Sequence, residues 1–242
     1  MTMKSMVLRA VDSLGYTLTP KWRESNLALA TLTRELIDTH AIDCVIDVGA
    51  NEGQYRKFIR YEVEFDGLVI SYEPQPELVG TLRAAGADDK SWQIHNFALG
   101  AQETELTLNV MERNTFSSFL EPDNSATPQF EAPNRVKGQH KVPVRRLDAQ
   151  PLPPSCERVF LKCDTQGFDM EVIKGASAIL PRVAAIQMEL GLTRIYHGLR
   201  PYHEVLSELD GLGFQPAGFF PVSRNRNLSA IEFDCVLVNM RY

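Results

Sequence analysis

The chain is predicted to be an α/β protein built on an open, mainly parallel sheet, and three observations carry that prediction. Short apolar runs rich in β-branched residues recur at 42–48, Leu68–Tyr72, 92–96, Val159–Cys163 and 183–188, as expected of strands covered on both faces. Helical segments at about 54–61 and 76–85 separate the first three runs, which is the βαβ rhythm of a parallel sheet. Acidic residues then recur at the ends of the runs, at Asp47, Glu73, Asp164 and Glu189, on the edge where open α/β sheets bind their ligands.

Taken in order, residues 1–40 read as an N-terminal helical segment, because Leu27, Leu29, Ala30, Leu32, Leu36 and Ile37 recur at helical spacing and Ser25 is placed to cap the start. Residues 41–242 form the main domain. Its first strand runs into Asp47-x-Gly49-x-Asn51-x-Gly53. Glycine at 49 and 53 lets the backbone turn sharply and approach a ligand, and the helix expected after it offers N–H groups and a positive dipole end to an anionic group. A dinucleotide site needs G-x-G-x-x-G, but positions 51 and 52 are Asn and Glu, and a carboxylate at the helix start opposes a pyrophosphate. An S-adenosylmethionine site fits better, with Asp47 near the methionine ammonium and Gly49, Asn51 and Gly53 forming the cradle.

The second strand ends at Glu73-Pro74, 26 residues beyond Asp47, the place where such folds accept hydrogen bonds from ribose hydroxyls. The third leads into Asn96 and Phe97, the candidates for contact with the adenine, although Asn96 equally suits a backbone-bonding cap. From about 103 to 148 the pattern changes to a β-hairpin with a long polar loop, inserted between strands three and four. Loops of this length often act as lids or substrate platforms. Arg135, Lys137, His140, Lys141, Arg145 and Arg146 make the insert basic, which fits a solvated surface better than a phosphate site. The fourth strand ends at Asp164, the fifth at Glu189; a helix over about 201–212 ends at Gly213, a suitable cap, and 216–220 and 231–239 read as the last strands.

The 242 residues carry a net charge of −6 and 44% hydrophobic residues, an ordinary globular composition. That charge disfavours nonspecific binding to nucleic acid or an anionic membrane, and no apolar run is long enough for a membrane span. Cys44, Cys156, Cys163 and Cys235 occur singly, which suits reduced thiols in a cytoplasmic protein. Lys4 and Arg9 precede no apolar core of a secretion signal.

In order along the chain, VIDVGANEGQY, SYEP, NFALG, VPVRRLD and LKCDTQGFDMEVIKGA resemble the FkbM-type family of S-adenosylmethionine-dependent methyltransferases, over roughly 42–190. The resemblance implies a Rossmann-like class I methyltransferase sheet of seven strands with the last antiparallel, and O-methylation of a hydroxyl on a sugar, glycan, glycolipid or polyketide-type natural product. Thr165-Gln166 stands where many members have Val-Glu, so no carboxylate is offered at 166.

Methyl transfer is an in-line displacement, so holding the acceptor oxygen in line does most of the work and a base assists. Asp164 is the first candidate base, with capping of the following helix as its structural alternative. Glu189 and His197, with Tyr196, are placed to line the acceptor pocket; His95, His140 and His203 are lone imidazoles. Arg224 and Arg226 fall near the same edge and suit an exposed hairpin better than an anion site. Mg²⁺ needs clustered oxygen ligands; Asp164 with Glu189 begins such a set, and no third is apparent. The expected partner is a small-molecule or glycan acceptor, without nucleic acid; homo-oligomerisation is left open. Two alternatives are an NAD(P)-linked oxidoreductase and a noncatalytic methyltransferase-like partner subunit.

Overall fold

A computed structural model describes residues 11, 13–16, 18 and 20–242. Lys4, Arg9 and most of the first twenty residues of the expected 1–40 helical segment lie outside the described residues. A 3₁₀ turn, Lys21–Asn26, leads into α1, Leu27–His40. Asn26, not Ser25, holds the cap position, and its side chain makes no capping bond: the 3₁₀ turn delivers the chain already helical, so Ser25 lies inside a turn.

The strands are β1 (Cys44–Val48), β2 (Leu68–Tyr72), β3 (Trp92–His95), β4 (Ala98–Leu99), β5 (Thr104–Met111), β6 (Val136–Arg145), β7 (Val159–Cys163), β8 (Val183–Gly191), β9 (Phe214–Arg224) and β10 (Ala230–Asn239). Seven form one sheet in the order β3-β2-β1-β7-β8-β10-β9, with β10 antiparallel to both neighbours. The seven-stranded sheet with an antiparallel last strand is therefore present. In the insert, β5 and β6 pair as the expected hairpin, and the short β4 joins them in a second sheet ordered β4-β6-β5.

Both faces of the central strands are buried, since successive side chains alternate across the sheet, whereas the edge strand β9 is largely exposed. Cys44, Ile46 and Val48 of β1 enter one core with α4 (Asp169–Gly175) and α5 (Tyr202–Gly211). Val45 enters the opposite core with α1 and α2 (Gln54–Phe58). Each fully buried Val, Leu or Ile contributes about 1.5–3 kcal/mol, so the central strands are the most strongly held part of the chain. The helix expected over 54–61 is shorter than its pattern: α2 passes into a π turn at Ile59–Val63, where Arg60 bonds the carbonyls of Phe65 and Gly67 and ties down the connection to β2. The helix α3 (Pro76–Ala85) has Pro at its start, the position where a missing N–H costs nothing.

Cys44 and Cys156 do not stand apart as their spacing implies; their sulfurs lie 2.7 Å from each other in the core. No helix among the described residues is long and apolar enough to cross a membrane.

Candidate active site

A cavity of about 330 Å³ opens at the carboxyl edge of the large sheet, between the turn after β1, the tips of β2, β7 and β8, and the loop after β5. The β1 turn has three residues in the left-handed region, Gly49 (φ 80°), Asn51 (φ 48°) and Gly53 (φ 80°). Glycine at 49 is required by the protein itself: a Cβ there would lie 2.0 Å from the Asp164 carbonyl oxygen. The β1 and β7 turns thus meet backbone to backbone, which the reading of Gly49 as a ligand approach missed. Gly53 precedes α2, and a Cβ would press on Leu82 and Trp92 at 3.1 and 3.2 Å; Gly49 and Asn51 line the cavity and Gly53 does not. The Glu52 N–H is bonded by the side chains of Asn51 and Gln54 at 2.9 and 3.0 Å, so the turn satisfies part of its own donor set.

Glu73 ties two turns together. Its carboxylate accepts from the Asn51 N–H at 2.8 Å and the Gln75 N–H at 2.9 Å, and it lines the cavity. Burial pushes its carboxyl from 4.5 up to about 7, against the opposing pull of those amides. The folded state therefore holds a proton that the unfolded chain releases, so stability falls as pH rises from 4.5 to about 7. The expected loss is about 3 kcal/mol, read by urea unfolding across that range. Glu73→Gln, which cannot ionise, should remove the Glu73 share of the slope and leave the shares of other raised acids such as Asp234; an unchanged slope would place the titration elsewhere.

Beneath the cavity a row of polar side chains crosses four strands on one face. Ser71, Asp47, Lys162 and Gln187 are in register across β2, β1, β7 and β8, and side chains in register on one face meet. The Trp92 indole donates to Ser71, Ser71 to Asp47 at 2.9 Å, and Lys162 Nζ to Asp47 at 3.1 Å and to the Gly49 carbonyl at 3.2 Å. Tyr55 donates to Gln187 at 2.9 Å. Burial draws the Lys162 ammonium down, but Asp47 and Asp164 outweigh it and hold it above its ordinary value. Asp47 is fully buried and off the cavity wall. Both the row and its own pairing direct it to Lys162, so any service to a bound ammonium runs through its neighbours.

After β3, Asn96 donates to the Glu73 and Pro74 carbonyls at 3.0 and 3.1 Å. Phe97 packs into the core against Tyr72, with the Arg145 guanidinium 4.5 Å from its ring centre. Neither lines the cavity; Ala98 and Leu99 do. The wall is displaced by two residues because Asn96 is spent holding the β2 turn and Phe97 faces inward.

The tips of β7 and β8 carry the candidate chemistry. Asp164 Oδ1 accepts from Gln166 Nε2 at 2.9 Å, and Oδ2 lies 3.5 Å from Lys162 Nζ. Glu189 Oε1 accepts from the same amide nitrogen at 2.9 Å. The turn before α4 is anchored by Asp169, whose carboxylate accepts from Thr165 N–H and Oγ1 and from the Gly167 N–H. That leaves Asp164 free of the capping role and on the cavity wall. Asp234 of β10 stands opposite Glu189 across the antiparallel pair. Burial, then the charges of Asp164, Glu232 and Asp234, push Glu189 well above its usual range, and burial pushes Asp234 to about 6.

The loop after β5 folds back over the cavity, bringing Asn114, Thr115, Ser117 and Phe119 to its wall. Ser118 Oγ donates to the Gln166 carbonyl at 2.7 Å, and the Tyr196 hydroxyl reaches the Phe116 carbonyl and Gln166 Oε1, each at 2.8 Å. His197 belongs elsewhere: it is exposed, with Nδ1 3.7 Å from Asp123. No histidine lines the cavity, nor do Arg224, Arg226 or the basic residues within and flanking β6; these are exposed, with Lys141 of β6 paired to Glu105 and its flanking Arg135 and Arg146 paired to Glu112 and Asp148. Among the described residues no three His, Cys, Asp or Glu side chains converge as a metal set, so the donor set does not fit Mg²⁺.

The Methyltransferase FkbM domain, as a protein family, matches residues 47–216. No curated protein matches the sequence. Among solved structures, methyltransferase FkbM from Methylobacillus flagellatus KT is similar with a TM-score of 0.54 at 15% identity. The likeness covers 81% of this chain and 43% of that one, so the chain spans less than half its neighbour's length and the likeness is one of fold. Magnesium protoporphyrin IX methyltransferase from Synechocystis PCC 6803, solved with bound SAM, aligns over 99% of this chain and 98% of its own at 10% identity and a TM-score of 0.46. Precorrin-6y C5,15-methyltransferase from Geobacter metallireducens GS-15 aligns over 91% and 92%, at 13% identity and 0.45.

Proposed function

The chain belongs to the FkbM methyltransferase family, and from that premise we propose that it is an S-adenosylmethionine-dependent O-methyltransferase acting on a hydroxyl of a sugar or glycan, a glycolipid or a polyketide-type natural product. The observation that carries this reading is one cavity with Glu73 at the tip of β2 and Asp164 at the tip of β7, on either side of the β1 turn. The donor set suits the cofactor: a buried carboxylate for ribose hydroxyls, and an acidic wall for a sulfonium cation. When bound, the cofactor supplies an electrophilic methyl group on positively charged sulfur.

The chain's own residues then have three tasks. Glu73 accepts ribose hydroxyls while its backbone bonds hold it in place. The 114–119 loop covers the acceptor and excludes water. Asp164 takes the proton of the acceptor hydroxyl, a role that typically contributes ~10²–10⁴-fold.

The charge balance narrows the acceptor. Asp164, Glu189 and Asp234 face this end of the cavity, and the lining cation is Lys162, already committed to Asp47 and Gly49. An amine would be held there as ammonium, without the lone pair that attacks carbon. A phosphate or carboxylate would meet like charge at Asp164 and, above about pH 6, at Asp234, whereas Glu189, pushed above its usual range by burial, adds less. A neutral hydroxyl keeps its lone pairs and donates its proton to a carboxylate, so an uncharged polyol fits best.

Calorimetry with adenosylhomocysteine, adenosylmethionine and NADH tests the reading. Tight binding of NADH with neither sulfur ligand would sink it in favour of an NAD(P)-linked oxidoreductase. Glu73→Gln should weaken adenosylhomocysteine about tenfold or more, the worth of a hydrogen bond to a charged acceptor; unchanged affinity removes the ribose assignment. Isotope-labelled methyl donor added to cell extract, with fractionation by charge, identifies the acceptor: label in an anionic fraction contradicts the neutral-acceptor reading.

A further inference from the structure

We propose that Gln166 is the positioning residue of this site: its side-chain amide stands where a bridging cation would, and fixes Asp164 and Glu189 without a divalent ion. The inference rests on the methyl-transfer reading for what Asp164 does, and on hydrogen bonding alone for how it is held.

One nitrogen, Gln166 Nε2, lies 2.9 Å from Asp164 Oδ1 and 2.9 Å from Glu189 Oε1. A primary amide has two N–H donors, so each carboxyl group receives one. On the other side, Oε1 lies 2.8 Å from the Tyr196 hydroxyl, whose one proton it shares with the Phe116 carbonyl, also at 2.8 Å; the reverse orientation would set the amide oxygen against the Asp164 carboxylate. The backbone is committed as well. Gln166 sits at φ 52°, ahead of Gly167 at φ 94°, and its carbonyl accepts from Ser118 at 2.7 Å. Gln166 therefore joins the two acids to the loop that roofs the acceptor end, so closing that loop and orienting Asp164 are one arrangement.

Two carboxyl groups facing each other need positive charge, a proton or donors between them; burial favours the protonated form of Glu189, and the Gln166 amide supplies a donor to each group. Magnesium demands oxygen ligands at about 2.0–2.1 Å in octahedral array, and here the central position is filled by an amide nitrogen, which a cation would have to expel. Replacing that amide by a carboxylate of the same length removes both donors and adds a third acid. Gln166→Glu should thus convert the arrangement into an oxygen-rich cation site beside the Tyr196 hydroxyl.

Titration calorimetry with MnCl₂ alone tests this on the full chain. Wild type should show no saturable uptake, Q166E should bind at least about tenfold more tightly, since affinity follows ligand charge count, and Q166E combined with E189Q should lose the gain. In wild type, NMR should find the Gln166 side-chain amide protons exchanging about tenfold or more slowly than those of exposed Gln102. Manganese uptake by wild type as tight as by Q166E, a folded Q166E with no gain, or fast exchange at Gln166 would each overturn the proposal. Failure to bind adenosylhomocysteine would overturn the methyl-transfer reading instead, leaving the manganese and exchange results to decide how the acids are held.

Discussion

Asp164→Asn is expected to lower methyl transfer by about 10²–10⁴-fold while leaving adenosylhomocysteine affinity and folding stability close to wild type. The substitution keeps the shape and an acceptor oxygen for Gln166 Nε2, so the bond that now measures 2.9 Å can persist. It removes the basic oxygen that lies 3.5 Å from Lys162. Lys162 retains Asp47 at 3.1 Å as its main partner, and Asp169 continues to anchor the turn, which is why stability should hold. Single-turnover rates with the acceptor found by labelling, set beside calorimetry with adenosylhomocysteine, give the comparison. A normal rate would end the role of Asp164 as base. A slow rate with equally weakened cofactor binding would make it a cofactor contact.

The central strands were legible because a strand buried on both faces must be apolar throughout, and 42–48 and Val159–Cys163 have that composition with a few informative exceptions. Those exceptions held a signal that went unread. Lys162 inside β7 and Asp234 inside β10 are ionisable residues in otherwise apolar runs, and a charge in such a place has to be paired; counting along the strands would have led to the row formed by Ser71, Asp47, Lys162 and Gln187. A sharp turn at Gly49 and Gly53 was legible too, but its cause was not. What excludes a Cβ at 49 is the Asp164 carbonyl, a neighbour set by strand order and not by local spacing. The same non-locality hid the roof of the cavity: nothing within 114–119 announces that Ser118 will meet Gln166. Nearness to Glu189 in sequence points to His197 as an acceptor contact, yet the turning chain between them carries it to the surface beside Asp123.

Lys162→Met should destabilise the fold by about 3–5 kcal/mol, the usual consequence of leaving one member of a buried ion pair alone. Asp47 is fully buried, and without Lys162 its carboxylate keeps the Ser71 hydroxyl as the partner seen here. The methionine fills similar volume, so the loss measures charge and not a cavity. Since the penalty comes from the orphaned charge, acidification that neutralises a lone buried carboxylate should return part of it. Joining Asp47→Leu to Lys162→Met should then cost less than the two changes summed, with a coupling of about 1 kcal/mol or more. Urea unfolding of wild type, both single variants and the double variant closes the cycle. Strict additivity would mean that the two groups do not act on each other and that the polar row beneath the cavity is held by its outer members, Trp92 with Ser71 and Tyr55 with Gln187.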